Sequence, residues 1–243
     1  VSRGAVSVAG VPAPGNAPRV VGVVPARAGS QGLPGKNLAR IGGLSLVGHA
    51  VRAARDAGVG EVVVTTDGAD IAAEARALGC TVVHRPAELA TGASRTVDAV
   101  LHAVRSLALA DDTLVLLLQP TSPLRTGDDV RAVLARHAAG DVGSTLTGCA
   151  VGHHPLKQLL VDDAGTASPV RAWADLEAPR QQLPRALRPN GAVYVTAAGA
   201  IAAAGAVLVP PLAVVEMPEE RSLDVDTAED LAAARALLEG RGA

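Results

Sequence analysis

The chain has 243 residues, enough for one large α/β domain or for one domain with a small appendage. Its 22 Lys and Arg nearly balance 24 Asp and Glu, giving a net charge of -2, which argues against a general nucleic-acid surface while leaving room for a local basic pocket. Aromatic residues make up 1% of the chain, so the stacking platforms of a single-strand nucleic-acid binder are missing.

Taken in chain order, residues 1–18 are rich in Val, Ala, Gly, Pro and Ser and read as a flexible N-terminal tail. Gly10, Pro12, Pro14 and Gly15 interrupt any signal-peptide core. Arg19 to Pro25 is a β-branched run, followed by a glycine-rich loop. Leu44 to Ala57 carries a helical stripe of Leu46, Val47, Ala50, Val51 and Ala54. A strand over Glu61–Thr66, a helix over Asp70–Leu78, a strand over Thr81–His84 and a helix over Arg95–Leu109 follow. Thr113–Leu118 is almost wholly apolar, as a strand covered on both faces must be. Thr126–His137 reads as a helix with Asp128 and Asp129 at its positive end.

Strand and helix recurring at this spacing predict an α/β fold with a mostly parallel sheet flanked by helices, in which ligands bind beyond the carboxyl ends of the strands. The alternation fails over 151–189, which reads as an excursion from the sheet, and returns with a strand over Gly191–Thr196. The last helix spans Thr227–Leu238, with Thr227 as cap and Asp230 in the box position. Val193–Pro218 is apolar but broken by Thr196, glycines and prolines, so no membrane span is expected. Cys80 and Cys149 sit in strand-like runs and read as buried, reduced thiols of a cytoplasmic protein.

Four segments carry chemistry. Pro25 to Asn37 holds three glycines with Arg27 and Lys36, directly after a strand, a context in which backbone amides cradle phosphates. It is not a Walker loop, because Asn37 follows Gly35-Lys36, and its spacing is not the dinucleotide fingerprint; a mobile surface loop is the alternative. In Asp224-Val225-Asp226, residues two apart on an extended segment face the same side and suit one hard cation such as Mg2+; a solvated turn with a helix cap is the alternative. Gln119 to Arg125 presents an amide stiffened by two prolines. Arg180, Arg185 and Arg188 precede Asn190, and Arg is the preferred binder of planar carboxylates. His153 and His154 are adjacent with no third ligand nearby, so a zinc site is not expected.

These segments, together with Thr65-Thr66-Asp67-Gly68, Arg85 to Ala90, His153 to Lys157 and Asp224 to Asp230, resemble in order the acylneuraminate cytidylyltransferase family, also called CMP-sialic acid synthetases. The resemblance runs from about Val20 to Glu239. It implies a Rossmann-like nucleotide-diphospho-sugar transferase fold over residues 19–243, with 151–189 as an insertion for homodimer formation that helps complete the partner's site. It implies that Arg27, Ala28, Ser30, Gln31, Lys36, Asn37, Arg85 and Thr96 hold CTP. Gln119, Lys157, Arg180, Arg188, Asn190 and Tyr194 match the site for an acidic nine-carbon sugar, and Asp224 and Asp226 match the Mg2+ carboxylates. The implied reaction joins CMP from CTP to the sugar's anomeric hydroxyl and releases pyrophosphate, with Arg27, Lys36 and the two aspartates as the catalytic groups.

Three departures from that pattern widen the field of acceptors. Gln31 stands where the family has Lys, with Arg95 as a substitute charge. Gly92 stands where Asp is typical, and Val207-Leu208 replace two Phe residues near the sugar's acyl group. A deaminated, legionaminic- or pseudaminic-type acid, an octulosonic acid, another acidic acceptor of secondary metabolism and a nucleotide-binding homologue with little turnover are the alternatives.

Overall fold

A computed structural model describes residues 18–29 and 32–240, so the expected tail lies outside the described residues except for Pro18. In chain order the elements are β1 (Val20–Pro25), β2 (Arg40–Ile41), β3 (Leu44–Ser45), α1 (Leu46–Asp56), β4 (Glu61–Thr66), α2 (Ala69–Ala77), β5 (Thr81–His84), α3 (Thr96–Ser106), β6 (Leu114–Leu117), α4 (Gly127–Ala138) and β7 (Ser144–Ala150). They continue with β8 (Leu159–Val161), β9 (Ala167–Pro169), α5 (Trp173–Glu177), β10 (Leu187–Ala197), α6 (Ala198–Ala204), β11 (Leu212–Glu216) and α7 (Ala228–Glu239).

Seven strands form one sheet in the order β11-β7-β10-β6-β1-β4-β5. β1 runs parallel to β4 and β6, β4 parallel to β5 and β11 parallel to β7, whereas β10 is antiparallel to both of its neighbours. The sheet is therefore mostly parallel, as expected. The two-residue period of a strand sends alternate side chains of β1 to opposite cores. Val21 and Val23 pack with Val63, Leu117, Val100 and Ile201, on the side of α3 and α6. Val24 packs with Val64, Leu116, Val47 and Val130, on the side of α1 and α4. A third cluster joins Val225, Leu231 and Ala234 to Ile41 and Leu46.

The α1 stripe of Leu46, Val47, Ala50, Val51 and Ala54 is at most 1% exposed. Burying each Val or Leu stabilises the fold by about 1.5–3 kcal/mol relative to leaving it in water. The helix begins two residues later than its periodicity predicts. Gly42 and Gly43, at φ 52 and 83, turn the chain so that Leu44–Ser45 pairs with Arg40–Ile41, and Ser45 then caps the helix by accepting from the Gly48 amide. Thr126 and Thr227 each form a full capping box, with Asp129 and Asp230; Thr227 is the cap expected, and Thr126, read as the first residue of its helix, caps α4 instead.

The excursion is real but ends earlier than expected, because Leu187 to Pro189 already pair with Ala150 to Gly148. It contains the β8–β9 hairpin and the short α5. Two elements were hidden inside the apolar run after Val193: the Ala-rich α6, ended by Gly205 at φ 60, and β11. Cys80 and Cys149 are buried and free, which fits the sequence reading.

His49 on α1 is 2% exposed. Its Nε2 lies 2.8 Å from the Ile41 carbonyl and its Nδ1 lies 3.1 Å from Arg52 Nη2, which fixes a neutral ring with the proton on Nε2. Burial, with the nearby Arg52 and Arg125 charges, holds its pKa below the usual 6.5. The unfolded chain therefore binds more protons than the fold just below that value, and stability falls as pH drops from there through the lower folded value. We expect the melting temperature to fall between pH 7 and pH 5 less steeply in His49→Gln than in the parent, although the variant starts lower. Parallel slopes in a thermal-melt series would remove His49 as the cause.

Candidate active site

Pro25 at the end of β1, Gln119 just beyond β6 and the first turn of α3 border a cavity of about 270 Å³ beyond the carboxyl edge of the sheet. Arg27, Lys36, Asn37, Arg85, Arg95, Thr96, Gln119, Thr121, Asp224 and Asp226 all line it. Four cationic side chains face two carboxylates here, so the cavity favours a polyanion.

The loop after β1 is anchored at both ends. The Ala26 amide donates to the Thr65 carbonyl at 3.0 Å, and the buried Asn37 donates its side-chain amide to the Arg27 carbonyl at 2.9 Å. Asn37 therefore supports Arg27, while Arg27 itself reaches the Thr91 carbonyl at 2.7 Å. The Ala28 amide donates to Asp67 at 2.9 Å. Gly32 lies so close to the far end of the chain that a Cβ there would meet the Asp226 carbonyl oxygen at 2.5 Å. Ser30 and Gln31 lie outside the described residues.

Lys36 donates to Asp226 at 2.7 Å and to the Val225 carbonyl at 3.3 Å. Asp224 and Asp226 both reach the cavity because Val225, between them, is fully buried and its amide donates to the Thr121 carbonyl at 2.7 Å. Asp224 is exposed at the cavity; the protein around it pushes its carboxyl above the usual value of 3.8, and the Asp226 charge adds to this against a hydrogen bond from Thr121 and the charge of Lys36. Among the described residues no group of three His, Cys, Asp or Glu side chains is placed to hold a metal ion. The two aspartates are thus the donors available to a divalent cation, a set that suits Mg2+ when phosphates and waters complete its shell.

Arg85 is held by its Nη2, which donates to the Thr65 carbonyl at 2.7 Å; its Nε is buried with no hydrogen-bond partner among the described residues. Thr96 is the first residue of α3. Arg95 lines the cavity, but its guanidinium is paired with Asp98 at 2.8 Å. Behind Gln119, the buried Arg125 clamps the Gln119 and Ala192 carbonyls, each at 2.7 Å. Burial lowers its pKa to about 9, so it stays charged at neutral pH.

The remaining candidates are not among the residues lining this cavity, although Tyr194 is close enough to Asp224 to feel its charge. Lys157 donates to the Leu176 carbonyl at 3.0 Å, within the excursion. Arg180 bonds the Val151 and Gly152 carbonyls and borders a second cavity of about 220 Å³, with His154, Arg185 and Glu216. Arg188 is exposed on β10 opposite Cys149. Asn190 is 3% exposed and bonded to Thr147 and Ser222. Tyr194 is half-buried on β10, where burial and the Asp224 charge raise its pKa. His154 accepts from the Leu156 amide and contacts the Pro184 carbonyl, a local structural role. Thr121 and Ser94 were not singled out from the sequence; Thr121 lay inside a segment already chosen, whereas nothing marked Ser94, which enters the wall only by the turn ahead of α3.

A family model described as Cytidylyltransferase matches residues 21–161. A CMP-N,N'-diacetyllegionaminic acid synthase of Legionella pneumophila is 30% identical over 226 residues, covering 91% of this chain and 97% of that protein. An N-acylneuraminate cytidylyltransferase of Streptococcus agalactiae serotype V is 29% identical over 211 residues; these cover 86% of this chain and 50% of that protein, so the chain spans about half the length of this relative. A 3-deoxy-manno-octulosonate cytidylyltransferase of Chelativorans sp. is 39% identical over 112 residues, 46% of this chain and 43% of that one. Among solved structures, a CMP:2-keto-3-deoxy-manno-octonic acid synthetase complexed with CTP superposes with a TM-score of 0.69 at 20% identity, covering 92% of this chain and 99% of that one, a likeness of fold. No helix among the described residues is long and apolar enough to cross a membrane.

The raised Asp224 pKa has a sign that can be checked. Above the usual carboxylate value the folded protein bears a charge that the unfolded chain holds more comfortably, so ionised Asp224 lowers stability as pH rises through the folded pKa. Asp224→Asn is expected to melt higher than the parent at pH 7.5, and the gain should shrink toward pH 3.5, where the carboxyl is mostly protonated in both states. A variant that melts lower at pH 7.5 would show that Thr121 and Lys36 outweigh burial.

Proposed function

We propose a reaction for this chain from one premise: it belongs to the cytidylyltransferase family, by the family match over residues 21–161 and by the Legionella alignment over nearly the whole of both chains. The chain transfers CMP from CTP to the anomeric hydroxyl of a nonulosonic, sialic-type acid and releases pyrophosphate. The observation that carries this reading is the single cavity in which a cationic loop meets two carboxylates drawn from the other end of the chain.

Arg27 and Lys36 bind the triphosphate and stabilise charge as the bond between the α-phosphorus and the bridging oxygen breaks. Arg85 and Thr96 hold the nucleoside end, where the unpartnered Arg85 Nε supplies a donor that water or ligand must satisfy. Ala28 and Asn37 hold the loop in place for CTP, and Ser30 and Gln31 add polar groups for binding the nucleotide. Gln119 and Tyr194 orient the acid so that its anomeric oxygen attacks in line, and the hydroxyl proton leaves to solvent. Asp224 and Asp226 hold Mg2+, which when bound withdraws charge from the phosphates. Lys36, bonded to Asp226 here, would turn its ammonium to the phosphates once that carboxylate is engaged by the cation.

Lys157, Arg180 and Arg188 reach the acid from the other subunit of a homodimer. Leu159, Leu160, Val161, Val170 and Trp173, all on the excursion and all at least 42% exposed, supply the apolar surface for that contact. A second reading, with an octulosonic acid as acceptor, draws on the 39% local identity to the Chelativorans protein, although that alignment spans under half of this chain.

Purified protein with magnesium, assayed for pyrophosphate while crossing the four nucleoside triphosphates with nonulosonic and octulosonic acids, tests both readings. Release is expected with CTP and a nonulosonic acid alone. Release with an octulosonic acid alone would move the assignment to the second reading, and release with no pair would sink the reaction. Gly32→Ala, whose Cβ collides with the Asp226 carbonyl, should reduce turnover about 100-fold with the circular dichroism unchanged, as a misplacement near 1 Å does. Parent-like rates would mean that the Asp226 segment is free to shift.

A further inference from the structure

We propose that Asn190 is a positioning residue that seats the Asp224–Val225–Asp226 segment through Ser222, and not a contact of the acidic substrate. The inference rests on the proposed reaction for its kinetic readout only.

A side-chain amide can accept two hydrogen bonds on its oxygen and donate two from its nitrogen. In Asn190 all four are used inside the protein. Oδ1 accepts from Thr147 Oγ1 at 2.7 Å and from the Ala192 amide at 3.2 Å. Nδ2 donates to Ser222 Oγ at 2.9 Å and to the Met217 sulfur at 3.3 Å. A backbone N–H can only donate, so the Ala192 contact fixes which end of the amide is oxygen. With the residue 3% exposed, no capacity remains for a ligand.

Those partners come from different parts of the chain. Thr147 belongs to β7 and Met217 follows β11, so one side chain ties two neighbouring strands of the sheet to its own strand, β10. Ser222, itself 2% exposed, passes the bond on to the Pro218 carbonyl at 2.9 Å and stands two residues before Asp224. Beyond it the segment is tied by the Val225 amide, bonded to Thr121. The Asn190 bond thus holds the entrance of a segment whose middle is held by Thr121. The same turn also fits the other cavity wall: Gly191 has φ 77, and a Cβ on it would lie 3.0 Å from Gln119 Oε1. Removing the amide leaves buried Thr147 and Ser222 hydroxyls short of a partner and loosens the segment that carries both carboxylates.

The test compares Asn190→Ala, Ser222→Ala and the double variant. Deuterium exchange of residues 222–227 is read without substrate, and kcat and the KM for the acid are read with CTP and magnesium. Each single variant is expected to exchange faster over 222–227 and to lose about tenfold in kcat, with the acid KM within about twofold of the parent. The double variant is expected to lose less than the sum of the two singles, because the two side chains share one bond. Parent-like exchange in both singles would overturn the proposal, as would an acid KM raised only in Asn190→Ala or additive losses in the double. Should Asn190→Ala fail to fold, Ser222→Ala, which removes only the far hydroxyl, decides by the same exchange and kcat criteria. If no acid is turned over at all, the reaction fails while the exchange comparison still decides the positioning role.

Discussion

The burial of one valine organises the site. Val225 is fully buried in the small cluster beneath α7, and its amide is bonded to Thr121. With that side chain inward, the residues on either side must face outward, and both are aspartates. The Lys36 ammonium donates two hydrogen bonds to this segment, and Gly32 can carry no side chain because the segment's backbone passes over it. A glycine-rich loop near the start of the chain and a carboxylate pair near its end are thereby held in one geometry. The apolar burial supplies the registration, and the charged groups are positioned by it.

How the cations are held follows a pattern with chemical meaning. Arg27 is held by the Thr91 carbonyl, Arg85 by that of Thr65 and Arg125 by those of Gln119 and Ala192. A carbonyl fixes a guanidinium without cancelling its charge, whereas a carboxylate does both. Away from the cavity the usual arrangement returns: Arg221 pairs with Asp129 and Arg171 with Asp175. The positive field at the cavity is kept by backbone dipoles standing where counter-ions would otherwise stand. Lys36 and Arg95 are the exceptions on the wall, paired with Asp226 and Asp98 in this conformation.

Much of this was legible in the sequence for physical reasons. Apolar period and cap residues located β1, β4, β6, α1, α4 and α7 within one or two residues, because those elements bury continuous faces and begin at hydroxyl or carboxylate caps. The alternation of Asp224, Val225 and Asp226 predicted their shared face. What stayed hidden depends on contacts between distant parts of the chain. α6 is seven residues of Ala, Gly and Ile inside an apolar run, where helix and strand look alike. The long β10 was read short, since Pro189 and Gly191 suggest a turn but here sit at a register shift in the sheet. Asn190 illustrates the limit most clearly: an amide among arginines reads as a ligand group, and only the fold reveals that Thr147, Met217 and Ser222 surround it.

The register of β7 and β10 has a topological consequence. Leu187 re-enters the sheet directly opposite Ala150, the residue at which the chain leaves it. Everything from 151 to 186 is therefore one hairpin loop, long and structured, whose two ends are already neighbours in the sheet. Lengthening or rebuilding such a loop changes its closure entropy only slowly with length. The excursion is thus an insertion with closed ends, tied back to the sheet a second time by the ion pair of Arg185 with Glu216 on β11.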